Sequence, residues 1–305
     1  MSPLTETILK EYQIRKSKKQ KQAFRDWLIP ILEEQGFAVS VEEGRMGSRN
    51  IVIGDVATAK TLFTAHYDTC AVMPFPNFIT PAQPLFYWLY QILICVPIFA
   101  VIFTVAWLFS RIEGGLFMVG YWVGFFCVFG LMMFGPANRH TANDNTSGVC
   151  ALLELALALP EERRQDVAFV LFDLEEMGLV GSSAFAKAHK EELKNTLLVN
   201  MDCVSDGETM LFVLRKGAWP MLEELKNAFP ADARVTPKFM TRGYIYPSDQ
   251  INFPCGVGVS ALLTNRLGLL YMDKIHTPKD QVFRVENISW LVEGCLRLAE
   301  ERKAS

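Results

Sequence analysis

Two long apolar segments interrupt an otherwise mixed pattern of hydrophobic and polar residues along this chain. They cover residues 85–109 and 116–134, contain no charged residue, and are joined by the short sequence SRIEGG. A helix rises about 1.5 Å per residue, so about 20 apolar residues cross the roughly 30 Å core of a bilayer. The pattern predicts a transmembrane hairpin of two helices at residues 85–134, and a buried core hairpin is the alternative.

Outside the hairpin, the pattern indicates alternating helices and strands. Apolar residues recur at helical spacing over residues 4–35, and Pro30 is expected to divide this segment into two helices. Strands are predicted at residues 37–41, 50–53, 61–65, 167–174, 197–201, 209–214 and 258–264. Helices are predicted at residues 148–159, 182–189, 220–229 and 285–303.

This alternation predicts an α/β fold in which helices sandwich a mostly parallel or mixed sheet, with the two-helix transmembrane hairpin inserted. The domain is expected to comprise residues 1–84 and 135–305, and residues 1–35 form its N-terminal helical segment. The chain outside the hairpin is long enough for one such domain with a large core, or at most for two small domains.

Charge and cysteine content narrow the class of protein. The formal net charge is −3, so a nucleic acid is not expected as a partner. The seven cysteines are scattered and include no CxxC pair, which predicts reduced and mostly buried thiols.

Basic residues near the N-terminus bear on the orientation of the hairpin. No apolar leader precedes them, and segments rich in Lys and Arg stay on the cytoplasmic side of a membrane. We therefore expect a cell-membrane protein with two spans, whose catalytic domain and both termini are cytoplasmic. The cluster is expected to be a solvated face, with contact to anionic lipid as the alternative. Its members are Arg15, Lys16, Lys18, Lys19, Lys21 and Arg25.

Three of the predicted apolar strands are followed by residues of the types that bind metal ions. His66 follows the strand at residues 61–65, Glu175 and Glu176 follow the strand at 167–174, and Asp202 follows 197–201. The carboxyl ends of parallel strands meet at one edge of a sheet, where ligands bind. Imidazoles and carboxylates hold ions of the zinc class, and a pair of such ions polarises a carbonyl group. One carboxylate of the adjacent Glu pair is then available as a general base.

Five motifs around these residues occur in a fixed order. They are TAHYDT at 64–69, ANDNTSG at 142–148, DLEEMGLVGS at 173–182, NMDCV at 200–204 and IHTPKDQ at 275–281. A sixth, YPSDQINF at 246–253, matches less closely. The ordered set resembles peptidase family M28, the dizinc metallopeptidases whose best-known members are bacterial aminopeptidases. The resemblance covers the chain outside the hairpin.

The resemblance implies two divalent metal ions of the Zn²⁺ type as cofactors. Asp144 would bridge both ions. His66 and Asp202 would complete one ion, and Glu176 and His276 would complete the other.

The resemblance also implies roles beyond metal binding. Glu175 would be the general base, and Asp68 would tune the metal pair from behind His66. The family often places a polar group beside the last histidine, where this chain has Ile275. Ser248 and Asp249 are expected to shape the site, and three further side chains are candidates to bind the substrate: Arg242, Tyr244 and Tyr246.

These observations predict a membrane-anchored metallo-aminopeptidase that acts on a peptide or amino-acid amide. The lipid bilayer is its expected partner, and apolar or membrane-associated substrates are expected to be favoured. Three alternatives remain: a glutaminyl cyclase-like acyltransferase with one zinc, an amidase acting on lipidated or N-acyl amino acids, and a metal-free scaffold protein. Asn145 after Asp144 resembles the peptidase form, and the complete ligand set argues against the scaffold.

Overall fold

The centre of the molecule is a mixed β-sheet sandwiched by helices, as the sequence predicts. It is seen in a computed structural model that describes residues 2–73 and 75–302. The strands described are β1 (Val39–Glu43), β2 (Arg49–Ile53), β3 (Thr61–His66), β4 (Val167–Phe172), β5 (Leu197–Met201), β6 (Thr209–Leu214), β7 (Thr236–Met240), β8 (Gly256–Thr264) and β9 (Leu270–Tyr271). Their order across the sheet is β1-β2-β4-β3-β5-β8-β6-β7, and β9 pairs with β8.

Four neighbouring strands in the middle of the sheet are parallel. β3 pairs in parallel with β4 on one side and β5 on the other, and β5 pairs in parallel with β8. Every residue of β3, β4 and β5 is buried, as expected for strands covered on both faces. The carboxyl ends of these three strands therefore meet at one edge.

Helices cover both faces of the sheet. Those described are α1 (Pro3–Glu11), α2 (Lys18–Glu34), α3 (Pro84–Ile112), α4 (Phe117–Phe134), α5 (Gly148–Ala158), α6 (Val180–Ala188), α7 (Leu222–Ala228) and α8 (Val285–Glu301). The larger apolar core joins Phe63 and Phe169 of the sheet to Val149 of α5 and Trp290 of α8. A second, smaller core joins Phe172 to Phe185 of α6 on the other face.

The N-terminal helices divide at a different place from the one predicted. Pro30 lies inside α2, and the break lies between Glu11 and Lys18. Ser17 begins α2 with a capping box, in which its hydroxyl accepts from the Gln20 amide and the Gln20 side chain accepts from Ser17 N. This cap satisfies amide groups at the helix start and fixes the boundary.

Two strands are additions to the predicted set. β7 is a half-exposed edge strand that contains Pro237, and β9 has only two residues. Neither has the run of apolar residues that makes the central strands visible in the sequence.

The two long apolar segments form α3 and α4, which pack against each other as an antiparallel pair. Both are long and apolar enough to cross a membrane by length and composition. Gly120 and Gly124 of α4 lie directly against α3, where an added Cβ would come within 2.8 Å of Ala106 Cα and 3.2 Å of Ile102 Cα. Large apolar side chains on the outside remain exposed, including Phe126 at 67% and Phe134 at 73%.

The returning end of the hairpin is joined to the loop after β3. The Val72 amide donates to the Pro136 carbonyl at 2.9 Å, and the Asn138 amide donates to the Cys70 carbonyl at 3.1 Å. The Met73 amide also donates to the His276 carbonyl at 2.8 Å. The base of the hairpin therefore lies beside the sheet edge that carries His66.

The basic cluster is only partly the solvated face that the sequence predicts. Arg15 is fully buried, and Lys21 and Arg25 are 5% exposed. Lys21 forms an ion pair with Asp173, and Arg25 donates to the Tyr67 hydroxyl at 2.6 Å. These three cations are compensated inside the protein.

Candidate metal centre

The sheet brings three of the predicted metal-binding positions together. His66 is the last residue of β3, which lies between β4 and β5. Glu176 follows β4 and Asp202 follows β5, so their backbones leave the sheet on either side of His66. Asp144 and His276 reach the same edge from the loops before α5 and before α8.

The predicted ligands form two groups that share Asp144. His66 Nε2 lies 3.5 Å from Asp144 Oδ1 and 3.5 Å from Asp202 Oδ1. His276 Nε2 lies 2.9 Å from Asp144 Oδ2 and 3.4 Å from Glu176 Oε2. Each oxygen of the Asp144 carboxylate therefore faces a different histidine.

This donor set fits ions of the zinc class. In each group, the candidate ligand atoms lie within 4.8 Å of one another. Each group combines an imidazole with two carboxylates, a set that zinc favours. Among the described residues, the buried Glu176 Oε1 lacks a hydrogen-bond partner, as expected for an atom that has a cation as its neighbour.

Cys70 is a further candidate that the sequence did not single out as a ligand. Its Sγ belongs to the same compact group as Asp144, Glu176 and His276. The side chain is 4% exposed, and burial raises the pKa of its thiol well above the usual value. Its proximity depends on the loop after β3 turning back to pair with residues 136–138, which no local motif reveals.

Asp68 supports the site through the backbone of the Glu pair. Its Oδ1 accepts from the Glu175 amide at 3.0 Å, and its Oδ2 accepts from the Glu176 amide at 3.2 Å. The His66 ring is placed by its Nδ1, which lies 3.1 Å from the Asp68 carbonyl oxygen. Asp68 thus fixes the turn that carries the predicted base and one predicted ligand.

Asp280 holds the loop that carries Asp144, a role the sequence analysis missed. Its carboxylate accepts from the Asn143 amide at 2.7 Å and from the Asp144 amide at 2.9 Å. Burial, together with the nearby Asp144 carboxylate, raises the pKa of Asp280 to about 7. The motif IHTPKDQ contains this residue, so the signal was present, but the contact joins distant parts of the sequence.

The two asparagines that flank Asp144 bind the loop after β5. Asn145 Oδ1 accepts from the Cys203 amide at 3.1 Å, and its Nδ2 donates to the Met201 carbonyl at 2.9 Å. Asn143 Oδ1 accepts from the Ser205 amide at 2.8 Å. The sequence NDN therefore places its central aspartate relative to Asp202.

Comparison with known proteins identifies the family. The model of peptidase family M28 matches residues 127–291, more than half of the chain. The chain belongs to peptidase family M28. The match includes four of the five M28 ligand positions predicted here, and His66 lies outside it. No curated protein matches the sequence.

Solved structures show the same fold at low sequence identity. The LapA aminopeptidase of Legionella pneumophila is 15% identical with a TM-score of 0.60, covering 98% of this chain and 68% of LapA. Glutaminyl cyclase of Porphyromonas gingivalis is 18% identical with a TM-score of 0.60, covering 98% and 97%. A Zn-dependent exopeptidase of Parabacteroides distasonis is 15% identical with a TM-score of 0.54, covering 97% of each chain. These likenesses concern the fold.

The electrostatics of this M28 site separate its carboxylates. Burial raises the pKa of Glu175 well above its ordinary value, although His66 acts in the opposite direction. Burial likewise raises the pKa of Glu176 to about 8. Burial opposes ionisation of Asp144 too, but hydrogen bonds with His276 and His66 hold its pKa well below the usual range. Asp144 is thereby kept anionic, while Glu175 readily accepts a proton.

Three residues at the site have a left-handed backbone conformation. Leu174 (φ 57°) precedes Glu175, Cys203 (φ 58°) follows Asp202, and His276 itself has φ 60°. Residues other than glycine adopt this conformation at a cost of about 1–3 kcal/mol, and such residues cluster at functional sites. The peptide bond between Asp144 and Asn145 is cis.

The predicted substrate-binding residues divide into two sets. The Tyr246 hydroxyl donates to the Asp202 carbonyl at 2.9 Å, and Asn200 Nδ2 donates to Ser248 Oγ at 2.9 Å. Asp249 is fully buried, and burial raises its pKa to about 7 although the nearby His66 acts in the opposite direction. These three residues lie at the carboxyl end of β5.

Arg242 and Tyr244 are not brought to the predicted ligands. The Tyr244 hydroxyl donates at 2.8 Å to the carbonyl of Leu214, which pairs with the beginning of β8 at the opposite edge of the sheet. The Arg242 guanidinium lies over the Trp219 ring at 4.9 Å. The intervening loop carries these two side chains away from the edge that holds the predicted metal ligands.

Proposed function

We propose that this M28 protein is a membrane-anchored metallo-aminopeptidase that removes N-terminal residues from peptides or amino-acid amides. Family membership supports a hydrolase with zinc-type metal dependence. The observation that carries the proposal is the shared Asp144 carboxylate, whose two oxygens face His66 and His276 separately. That arrangement suits two ions rather than one. Residues 1–84 and 135–305 would form the metallopeptidase domain.

The chemistry would divide between the cofactor and the protein. Two divalent ions of the zinc class, when bound, would polarise the scissile carbonyl and acidify the attacking water. Glu175 would take a proton from this water as the water oxygen bonds to the carbonyl carbon. It would return that proton to the nitrogen as the C–N bond breaks. Asp68 would hold Glu175 in place for both transfers through the amide contact at 3.0 Å.

Two variants test these roles with separate measurements. Asp144→Asn is expected to lose bound metal and activity together, because it changes the carboxylate shared by both ligand groups. Glu175→Gln is expected to keep about two ions per chain while hydrolysis of leucine amides falls about 10²–10⁴-fold. Metal analysis of the zinc-loaded, detergent-purified protein gives the first readout. A folded wild-type protein that binds no divalent metal would overturn the proposal.

The membrane part of the proposal rests on α3 and α4. Their outer faces expose large apolar side chains such as Phe126, which a bilayer would cover. The loop between them would lie outside the cell if both hairpin ends are cytoplasmic. Gly115→Cys in this loop is therefore expected to react with a membrane-impermeant maleimide in intact cells. Labelling that appears only after lysis would contradict this topology.

Glutaminyl cyclase activity is a second candidate, favoured by one observation. The structural match to the Porphyromonas gingivalis cyclase covers 97% of that chain, with a TM-score equal to that of LapA. The two activities leave different products from a peptide that begins with glutamine. A peptidase releases free glutamine, whereas a cyclase releases ammonia and leaves a pyroglutamyl peptide. Mass spectrometry of the product distinguishes them.

A further inference from the structure

A large cavity joins the candidate metal centre to the hairpin. Its volume is about 910 Å³, and its lining includes Asp68, Glu176 and His276. The same lining continues onto the last turns of α4 at Phe129 and Phe134. The substrate cleft of the proposed peptidase is thus built partly from the hairpin itself.

The wall of this cavity is apolar and adaptable. Besides the phenylalanines of α4, it has five methionines: Met46, Met73, Met132, Met133 and Met177. Methionine side chains are unbranched and flexible, so a surface rich in them fits apolar groups of varied shape. We define Phe129, Met132, Met133 and Phe134 as the α4 wall.

The rim of the cavity is cationic. Lys18 and Lys19 line it, are exposed, and form no ion pair within the described residues. Two other cations of the lining are paired: the buried Lys21 with Asp173, and the exposed Arg49 with Glu43 at 2.9 Å. The charges of Lys18 and Lys19 are therefore available to a molecule that enters the cleft.

The rim and the α4 wall are held side by side. Lys16 Nζ donates to the Met133 carbonyl at 2.6 Å, at the end of α4. This bond joins the segment that begins α2, with Lys18 and Lys19, to the last turn of the hairpin. A molecule at the metal centre would therefore meet apolar and cationic surfaces together.

We infer that this cleft selects amphipathic, negatively charged substrates, an inference that rests on the proposed amide hydrolysis. An aliphatic chain on the substrate would pack on the α4 wall and the methionines. A carboxylate or phosphate on the same substrate would pair with Lys18 and Lys19. The apolar contact supplies affinity in proportion to the buried area, and the exposed lysines supply a charge preference that salt weakens.

Four matched dipeptide amides test the inference on zinc-loaded protein in zwitterionic detergent. Their first residue is alanine or 2-aminodecanoic acid, and their second is glutamine or glutamate. We expect kcat/KM for the aliphatic, anionic dipeptide to exceed that of its neutral partner about tenfold, the effect of roughly one ion pair in a partly desolvated site. The two alanyl dipeptides should be poorer substrates. Equal kcat/KM for all four would overturn the inference.

Variants assign each preference to its surface. Lys18→Gln/Lys19→Gln is expected to abolish the preference for glutamate, whereas Lys190→Gln/Lys194→Gln, which changes two exposed lysines outside the cavity, should leave it intact. Phe129→Ala/Met132→Ala is expected to reduce the preference for the aliphatic chain about tenfold. Its control is Phe126→Ala/Leu131→Ala, on the same helix but outside the cavity.

Contact with lipid and failure of the proposed activity would each give a distinct result. If Lys18 and Lys19 contact lipid headgroups instead, their variant will alter all four substrates equally, and only in vesicles that contain phosphatidylserine. That result would overturn the inference. If the protein hydrolyses none of the dipeptides, the proposed function fails, and calorimetric binding of the same four compounds still decides the selectivity. Binding of the aliphatic glutamate compound no tighter than the alanyl glutamine compound would overturn the inference too.

Discussion

The sheet edge that carries the predicted metal ligands and the hairpin use opposite means to hold their shape. The edge consists of buried polar groups joined across long stretches of sequence, such as Asp280 to the Asp144 amide at 2.9 Å. The hairpin consists of apolar helices that are neighbours in sequence and approach closely at Gly120 and Gly124. The first should be sensitive to the loss of a hydrogen bond, and the second to added volume.

Removing the Arg15 side chain should have the largest effect on the edge. The buried guanidinium donates to the Tyr67 carbonyl at 2.6 Å and to Thr146 Oγ1 at 3.2 Å, joining the loops of two predicted ligands. Arg15→Met leaves these buried acceptors unpaired, so we expect a loss of about 3 kcal/mol in the free energy of unfolding. Urea unfolding in detergent micelles measures it. Lys10→Met, at an exposed cation of α1, should change it by less than about 0.5 kcal/mol.

The corresponding change in the hairpin is Gly120→Leu. A Cβ at this position would lie 2.7 Å from Phe109 Cβ, so the helices must separate. We expect the free energy of unfolding of the hairpin in dodecyl sulfate to fall by about 2 kcal/mol. The fluorescence of Trp107 and Trp122 reports this unfolding. Gly130→Leu is the control, because nothing lies within 4 Å of a Cβ there. Equal effects of the two substitutions would remove the proposed basis of hairpin packing.

Asp280→Asn should weaken metal binding without unfolding the domain. The substitution leaves a poorer acceptor for the Asn143 and Asp144 amides, so the shared carboxylate is held less firmly. Zinc affinity, measured by competition with a chelator, should fall about 10–100-fold. Asp232→Asn, on an exposed loop, should leave the affinity unchanged. An unchanged affinity in Asp280→Asn would show that the loop holds Asp144 without this contact.

The smallest expected effect comes from a polar contact at the surface. Partial burial lowers the pKa of His189, but hydrogen bonds with Glu42 and Glu192 raise it above its ordinary value. A group whose pKa is raised in the folded state stabilises the folded protein at pH values below its unfolded pKa of about 6.5. This stabilisation is lost as the pH rises through the folded pKa. His189→Gln should therefore lower the free energy of unfolding by about 0.5 kcal/mol at pH 6 and by almost nothing at pH 9. Lys187→Gln, in the last turn of α6 just before His189, should show no such dependence.

The sequence predicts those parts of the molecule whose signals are local. β5 and β6 have the predicted bounds, because an apolar run between polar residues suffices to define a buried strand. The strand ends also predicted His66, Glu176 and Asp202 as candidate ligands, whereas Asp144 and His276 followed from the resemblance to the family. The half-exposed β7 has no such run and was missed.

Arg15 and Asp280 show why the rest required the structure. Arg15 is one of six basic residues close together in the sequence, and nothing local separates this buried cation from the exposed Lys18. Asp280 acts through amides that lie far away in the sequence. Both roles arise from long-range contacts, which spacing and composition do not encode.

The strand order has a consequence for the order of events during synthesis. β3 carries His66, yet both of its partners, β4 and β5, follow the hairpin, so Phe63 pairs with Phe169 from the far side of it. The ribosome therefore releases α3 and α4 while β3 still has unpaired edges. A hairpin that enters the bilayer at that stage would attach the nascent chain to the membrane while only the part of the proposed site around His66 has been synthesised. Each molecule would then complete the proposed metal centre at the membrane surface.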